Sequence, residues 1–170
     1  MVVDRVDISS LVWDFLKTDT TAATVALRAL FIVPTGCIYE AGDITPDLFN
    51  EREQTRREAV PQVMTKALAL AVQDAGEDPA RQFGDETIQY VTVRIYDRGR
   101  GYRNIRTVRD ALLELLKDGF ANLQTDKKRG LLRLAYTGRT GHRWDRFYNI
   151  EFEAISFTAT VLHLDEEDTV

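Results

Sequence analysis

The sequence predicts a single α+β domain, in which a mainly antiparallel central sheet of about four to five strands packs against two to three helices. Helical apolar periodicity occurs near the amino terminus and again in the middle, and strand-like alternation surrounds those helices. The length of 170 residues suits one domain, and apolar and charged fractions of 44% and 29% are typical of a globular chain. We expect one domain over residues 1–164 and an acidic tail at 165–170.

The first helix is predicted from Ile8, because apolar residues recur there at the spacing of one helical face. These residues are Ile8, Leu11, Val12, Phe15 and Leu16. Asp7 or Ser9 can cap the amino end of this helix.

A second helix and a short strand follow. Thr20 or Thr21 can cap a helix that runs to about Phe31 and that Pro34 ends. Residues 37–42 are typical of a short strand that runs into a turn.

The next part of the chain is less regular. Residues 43–58 are polar and highly charged, which predicts a long surface excursion. Residues 63–74 fit a helix by composition or a buried strand by alternation, and Pro61 stops a helix from simply continuing into them. Glycine, proline and acidic residues at 76–84 predict a loop.

The clearest strand pattern runs over residues 87–97. Val91, Val93 and Ile95 share one side, which we expect to face the core. Tyr90, Thr92, Arg94 and Tyr96 share the other side.

A connector at 98–102 leads into the strongest helical pattern. Its predicted buried stripe consists of Ile105, Val108, Leu112, Leu115 and Leu116. Asn104 is the candidate cap and Gly119 the stop.

Two strands close the chain. We predict the first over 131–136 and the second over 150–162, with a glycine-rich turn at 137–143. In the last strand Ile150 and Phe152 share one phase, whereas Ile155, Phe157, Ala159 and Val161 share the other. A slip of one residue indicates either a β-bulge or a strand that changes its buried face.

Composition narrows the classes of function. A net charge of −5 argues against a protein that binds nucleic acid through its overall charge. The single cysteine, Cys37, excludes an internal disulfide, so we expect folding in a reducing cytoplasm. No apolar run approaches the roughly 20 residues that cross a bilayer, so we expect no membrane partner.

The sequence offers little catalytic chemistry. Cys37 has no metal-ligand partner at a usual spacing, and His163 lies at a strand end. His142 and Asp145 are three residues apart in a loop, which is a weak signal for a catalytic pair. Residues 97–102 lie between a strand and a helix but lack the third glycine and the Lys-Ser/Thr pair of a phosphate loop. We therefore expect no enzyme, no cofactor and no metal site.

Arginine is concentrated in two places. The first group is Arg94, Arg98, Arg100, Arg103, Arg106 and Arg109, and the second is Arg133, Arg139, Arg143 and Arg146. Solvated faces with local ion pairs, such as Arg106 with Asp110, are one interpretation. A cationic surface that meets an acidic partner surface, or nucleic acid, is the other.

The order of elements has a counterpart in a known family. An amphipathic helix is followed by an apolar strand after a proline, a strand ending Arg-Ile-Tyr-Asp97, a glycine-containing connector, a helix ending Leu-Leu-Lys117 and two closing strands. Along this order lie Tyr102, Ile105, Gly138, Asp145 and Tyr148. The arrangement resembles the tail-terminator family of long-tailed, siphovirus-like bacteriophages and its minor-tail and neck relatives. The likeness covers roughly residues 5–162 and favours a strand at 63–74.

The resemblance implies a hexameric ring in the virion, at the head-proximal end of the tail tube. Such a ring stops polymerisation of the tube protein and offers a surface to the head connector, while DNA passes through it without specific binding. The family has no catalytic residues to carry over. A ring needs two complementary patches on each subunit, and an arginine-rich patch and an acidic patch are plausible halves. The candidate interface residues are Arg94, Arg98, Arg100, Tyr102, Arg103, Arg106, Arg139, Arg143 and Arg146.

Three other hypotheses remain open from the sequence. A head-completion or neck protein belongs to the same class. A protein that binds or processes nucleic acid would use the basic face at 94–109, and a small hydrolase would use His142 with Asp145.

Overall fold

The computed structural model describes residues 7–31, 38–40, 69–79, 86–97, 102–118, 130–146 and 150–162. In chain order its elements are α1 (Ile8–Thr18), α2 (Ala22–Arg28), β1 (Ile38–Glu40), β2 (Ala69–Pro79), β3 (Glu86–Asp97), α3 (Tyr102–Asp118), β4 (Leu131–Arg139), β5 (Arg143–Asp145) and β6 (Ile150–Leu162).

These strands form one mixed sheet in the order β1-β2-β3-β6-β4, with β5 also paired to β6. Only β1 runs parallel to its neighbour, and the other pairings are antiparallel. β3 pairs with β6 from Glu86 to Asp97 and so occupies one edge of β6 along almost its whole length. β4 and β5 must therefore lie end to end along the other edge. The predicted fold class, a mainly antiparallel α+β domain, is confirmed, and β5 is the strand that the sequence did not predict.

The helices and one face of the sheet enclose an apolar core. Val91, Val93 and Ile95 of β3 face it, as predicted. The predicted stripe of α3 is also confirmed, because Ile105, Val108, Leu112, Leu115 and Leu116 are all buried in this core. Each side chain of this size contributes about 1.5–3 kcal/mol on full burial. The core therefore fixes α3 against β3 and β6.

Asp7 caps α1, which decides between the two predicted caps. Its carboxylate accepts from the backbone N–H of Ser9 at 2.9 Å and of Ser10 at 3.4 Å. The buried Gln89 side chain of β3 accepts from the N–H of Ile8 at 3.0 Å. Burial alone would raise the pKa of Asp7, but the hydrogen bonds from Ser9 and Ser10 outweigh it, and the pKa lies below its ordinary value of 3.8.

We expect Asp7→Ala to lower the free energy of unfolding by about 1 kcal/mol at neutral pH, because the orphan N–H groups lose their acceptor. Asp7→Asn retains a neutral cap and is the matched control. Since the folded pKa of Asp7 is lowered, its charge-dependent stabilisation is complete above pH 3.8 and is lost as pH falls through the folded pKa. Urea unfolding between pH 3 and 7 should show the difference between wild type and Asp7→Asn shrinking towards pH 3. A constant difference would contradict this origin.

A second carboxylate, Asp19, joins α1 to α2. Its Oδ2 accepts from the hydroxyls of Thr21 and Thr24, each at 2.5 Å. Arg28 donates to the carbonyl oxygens of Leu16 and Asp19. Thr21 is the residue before α2, as predicted, but its hydroxyl is bonded to Asp19 and makes no cap bond. The helix ends at Arg28, three residues before the predicted end.

β2 extends beyond its predicted end at residue 74, and the loop predicted at 76–84 is wrong over its first residues. The strand continues to Pro79, paired with β3. Asp74 pairs with Val91 and Glu77 with Gln89, so β2 carries one extra residue between those pairs. Gly76 lies there with φ 102°, and its N–H donates to Asp74 at 2.8 Å. A β-bulge thus accommodates the glycine and acidic residues within a strand.

The sequence also misplaced two boundaries in the second half. α3 begins at Tyr102, so Asn104 is an exposed residue of the first turn and not the cap. β4 runs beyond the predicted end to Arg139, and the predicted turn at 137–143 narrows to residues 140–142. Gly138 pairs with Ser156 within the sheet, because a turn composition does not prevent strand pairing when a neighbouring strand supplies the hydrogen bonds.

The slip in the apolar phase of β6 reflects burial on both faces near its start and not a bulge against β3. β6 pairs with β3 in continuous register from Glu151 to Leu162, without a bulge against that strand. Near its start both phases are buried, with Ile150 at 1% exposure and Glu153 at 0%. The register shifts lie on the other side, between β4 and β6, where β4 has one extra residue at two places.

Several predictions fall outside the described residues. They concern Pro34 as the end of the second helix, the surface excursion at 43–58, the strand at 63–68, the loop at 80–84 and the tail at 165–170.

Candidate subunit interface

The described arginines of the face predicted at 94–109 lie on different sides of the sheet. Arg94 is on β3, on the side opposite the core residues Val93 and Ile95. Arg103 and Arg106 are exposed on α3, which packs on the core side. Arg98 and Arg100 lie outside the described residues, and Tyr102 is the first residue of α3. The sheet therefore separates Arg94 from the arginines of α3.

Arg94 is half-buried against aromatic side chains. Its guanidinium carbon lies 5.8 Å from the ring centroid of Phe152, and its Nη1 lies 3.5 Å from the Tyr96 hydroxyl. The Tyr96 and Phe152 rings are themselves 5.9 Å apart. This arrangement places the arginine stem and its charge over a small aromatic cluster, which is a packing role.

Arg139 and Arg109 meet at a buried carboxylate that the sequence analysis missed. Glu153 of β6 is fully buried, and its Oε1 lies 2.9 Å from Arg139 Nη1 and 3.6 Å from Arg109 Nη1. Arg109 also contacts Asp110 at 2.7 Å. Burial alone would lower the pKa of Arg109, but Asp110 and Glu153 outweigh it and raise the pKa. These two arginines therefore stabilise β6 against β4 and α3.

A sequence signal for Glu153 existed. It shares the phase of Ile155 and Phe157, which face the core. A glutamate in that phase needs a cationic partner, because an unpaired buried charge is very unfavourable.

The second group of arginines follows one edge of the sheet. We use the name basic edge for residues 131–146, which comprise β4, β5 and the residues around them. Arg133, Arg143 and Arg146 are exposed on it, and Arg139 is partly exposed at 45%. Asp145 is the one acidic residue in this stretch. The predicted interface residues Arg139, Arg143 and Arg146 thus lie along the same strand edge.

Large apolar side chains are exposed on the basic edge. Leu132, Tyr136 and Trp144 are 57%, 42% and 54% exposed. Tyr136 also makes an edge contact with Phe157, with ring centroids 6.1 Å apart. Exposed aromatic residues next to arginines are typical of protein–protein interfaces.

The other edge of the sheet carries the opposite charge. We use the name acidic edge for residues 73–79 of β2, beyond its pairing with β1. It contains Asp74, Glu77 and Asp78 and no basic residue. Asp78 accepts from the Tyr90 hydroxyl at 3.0 Å, a bond that raises the pKa of Tyr90. The sequence predicts a loop over most of this segment and therefore does not locate the acidic patch that would complement the arginines.

The histidine of the hydrolase hypothesis has a carboxylate nearby that was not predicted. His142 Nε2 lies 3.5 Å from Glu151 Oε1, and the imidazole is exposed. In the part of the chain that the structure describes, no group of three or more His, Cys, Asp or Glu residues is placed to hold a metal ion. No helix among the described elements is long and apolar enough to span a bilayer.

Together these features define a single-domain α+β protein whose sheet has a basic edge and an acidic edge. No family model matches the chain, and no curated protein matches its sequence. Among solved structures, it is similar to a chain described as "Virion of native gene transfer agent (GTA) particle", with a TM-score of 0.51 and 13% identity. The match covers 91% of this chain and 94% of that chain. At this identity the likeness shows a shared fold.

Proposed function

We propose that this chain is a structural, non-enzymatic subunit of a phage-like virion. The observation that carries the proposal is the shared fold with a virion chain of a gene transfer agent particle, over 91% of this chain and 94% of that one. Two chains that match over almost their entire lengths correspond as whole domains. The likeness therefore extends beyond a local motif, and it supports a common architectural role.

Within this class, we propose a ring that caps the head-proximal end of the tail tube, ends tube polymerisation and receives the head connector. The order of elements that resembles tail terminators supports this role. The two sheet edges support it as well, since a closed ring requires two different complementary surfaces on each subunit. The partners are then other copies of the chain, the tube protein and a connector or neck protein.

The alternative of nucleic-acid binding through residues 94–109 gains no support from the arrangement. The described arginines of that segment are divided between the two sides of the sheet, and Arg109 is engaged with Glu153 and Asp110. A continuous phosphate-binding surface would need these cations on one face.

Deleting the coding sequence of this chain from the producing genome should release tubes of irregular and excessive length, without attached heads. The physical reason is that a tube lacking its terminal ring keeps an open end, to which further tube subunits add. Negative-stain microscopy of the particles measures the tube lengths and the fraction of tubes joined to heads.

A complemented strain is the control and should restore a single tube length. Tubes of normal length that still join heads in the deletion strain would overturn the proposed capping role. Normal tubes without attached heads would favour the head-completion or neck protein instead.

A further inference from the structure

We propose that the basic edge of one copy docks against the acidic edge of the next copy, in a head-to-tail contact. This inference rests on the proposed ring and names the surfaces that form it. The first observation is position. β2 and β4 are separated by β3 and β6, so the two edges lie on opposite sides of the sheet, roughly 14 Å apart at the usual strand spacing. One copy can therefore contact two neighbours at once.

The second observation is charge. Residues 131–146 carry four arginines and one aspartate, and residues 73–79 carry three acidic residues and no base. Arg133, Arg143 and Arg146 are exposed, as are Asp74 and Asp78. Contact between unlike edges brings opposite charges together, whereas a two-fold contact between like edges brings like charges together. The charge pattern thus selects a head-to-tail interface over a symmetric dimer.

The third observation is the backbone. Among the described strands, β4 has a partner on one side, and β2 beyond Val72 likewise has a partner on one side. β2, β3, β6 and β4 alternate in direction, so β4 runs antiparallel to β2. Continuing the sheet from β4 of one copy to β2 of the next gives an antiparallel pair, the kind that edge strands form readily.

The fourth observation is the apolar surface on the basic edge. The described residues contain five large exposed hydrophobic side chains, and Leu132, Tyr136 and Trp144 are three of them. Because they lie along one edge, they offer apolar area for contact with the next copy. The arginines around them fix how the two copies are oriented. The two register shifts of β4 and its arginines also hinder indiscriminate strand pairing, which leaves the complementary edge as the suitable partner.

The test uses charge reversal at each edge. One variant carries Arg133→Glu with Arg143→Glu, a second carries Asp74→Lys with Asp78→Lys, and a third carries all four changes. The readout is molar mass by light scattering behind a sizing column, over a concentration series at low salt, with circular dichroism to verify folding. Wild type should give a multiple of the 19.4 kDa chain mass, about six for the proposed ring.

Each two-residue reversal should raise the protein concentration needed for assembly at least tenfold, because like charges then face each other. An equimolar mixture of the two reversed variants should assemble again, since each supplies the edge that the other lacks. The four-residue variant should assemble alone. Raising the salt concentration should weaken the wild-type contact.

The matched control is Arg103→Glu with Arg106→Glu, which makes the same change in charge at exposed positions of α3, outside the residues that define the two edges. Its mass should equal that of wild type. The inference is overturned by edge reversals that leave the mass unchanged, by a folded mixture that stays dissociated, by dissociation of the α3 control, or by a monomeric wild type. The capping role is tested separately, by the tube lengths of the deletion strain. None of the results above bears on those lengths.

Discussion

Replacing Arg109 and Arg139 together by leucine is expected to lower the free energy of unfolding by about 3–5 kcal/mol. Glu153 is fully buried, and these two guanidinium groups lie 3.6 and 2.9 Å from its Oε1. Without them the Glu153 carboxylate remains buried and loses both of these cationic partners. Urea unfolding in about 0.5 M salt is the suitable measurement, because salt screens contacts between exposed edges much more than a buried pair.

A third substitution, Glu153→Leu in the same chain, is expected to recover at least half of the lost stability. Replacing a buried ion pair by apolar side chains of similar volume is often close to neutral. Arg103→Leu, on the exposed side of α3, is the control and should change stability by about 0.5 kcal/mol or less. A double variant as stable as wild type, or a triple variant no better than the double, would show that this cluster does not support β6.

Gly130→Ala is expected to cost about 3 kcal/mol, which is a large effect for the addition of one methyl group. Gly130 has φ 95°, a conformation that side-chain-bearing residues rarely adopt, and a Cβ there would overlap the carbonyl oxygen of Leu162. The Leu162 N–H also donates to the Gly130 carbonyl, so the start of β4 is held closely against the end of β6. Relief of the overlap would require backbone movement at this junction.

Gly141→Ala is the matched control for Gly130→Ala. Gly141 also has positive φ, at 71°, but a Cβ there meets no atom within 4 Å. We expect a loss of about 1 kcal/mol from backbone strain alone. Thermal or urea unfolding of both variants separates the two contributions, and equal losses would mean that the approach of Leu162 does not matter.

The fold could be predicted well for elements that bury one face and expose the other. The stripe of α3 and the alternation of β3 follow from apolar spacing, because a core accepts one face of each element. Predictions failed where composition indicated a loop but a neighbouring strand provided pairing. Gly76 and Gly138 are both in strands, the first at a bulge and the second opposite Ser156.

The candidate interface could be predicted only in part. Arg139, Arg143 and Arg146 were expected to act together, and they do follow one edge. Arg94 was grouped with the arginines of α3 because it is near them in sequence, but strand alternation places it on the other side of the sheet. The sequence does not locate the acidic edge, because it predicts a loop where β2 continues from residue 76 to Pro79.

The sequence by itself determined α1, α3 and β3 and the side of each that is buried, because local periodicity restricts which side chains can share a face. Only the tertiary structure decided the strand order, and with it the placement of the acidic and basic stretches at opposite edges. It also decided the meeting of Arg109, Arg139 and Glu153. Those contacts join residues far apart in the chain, and pairing across such distances depends on the assembled sheet, which local spacing does not specify.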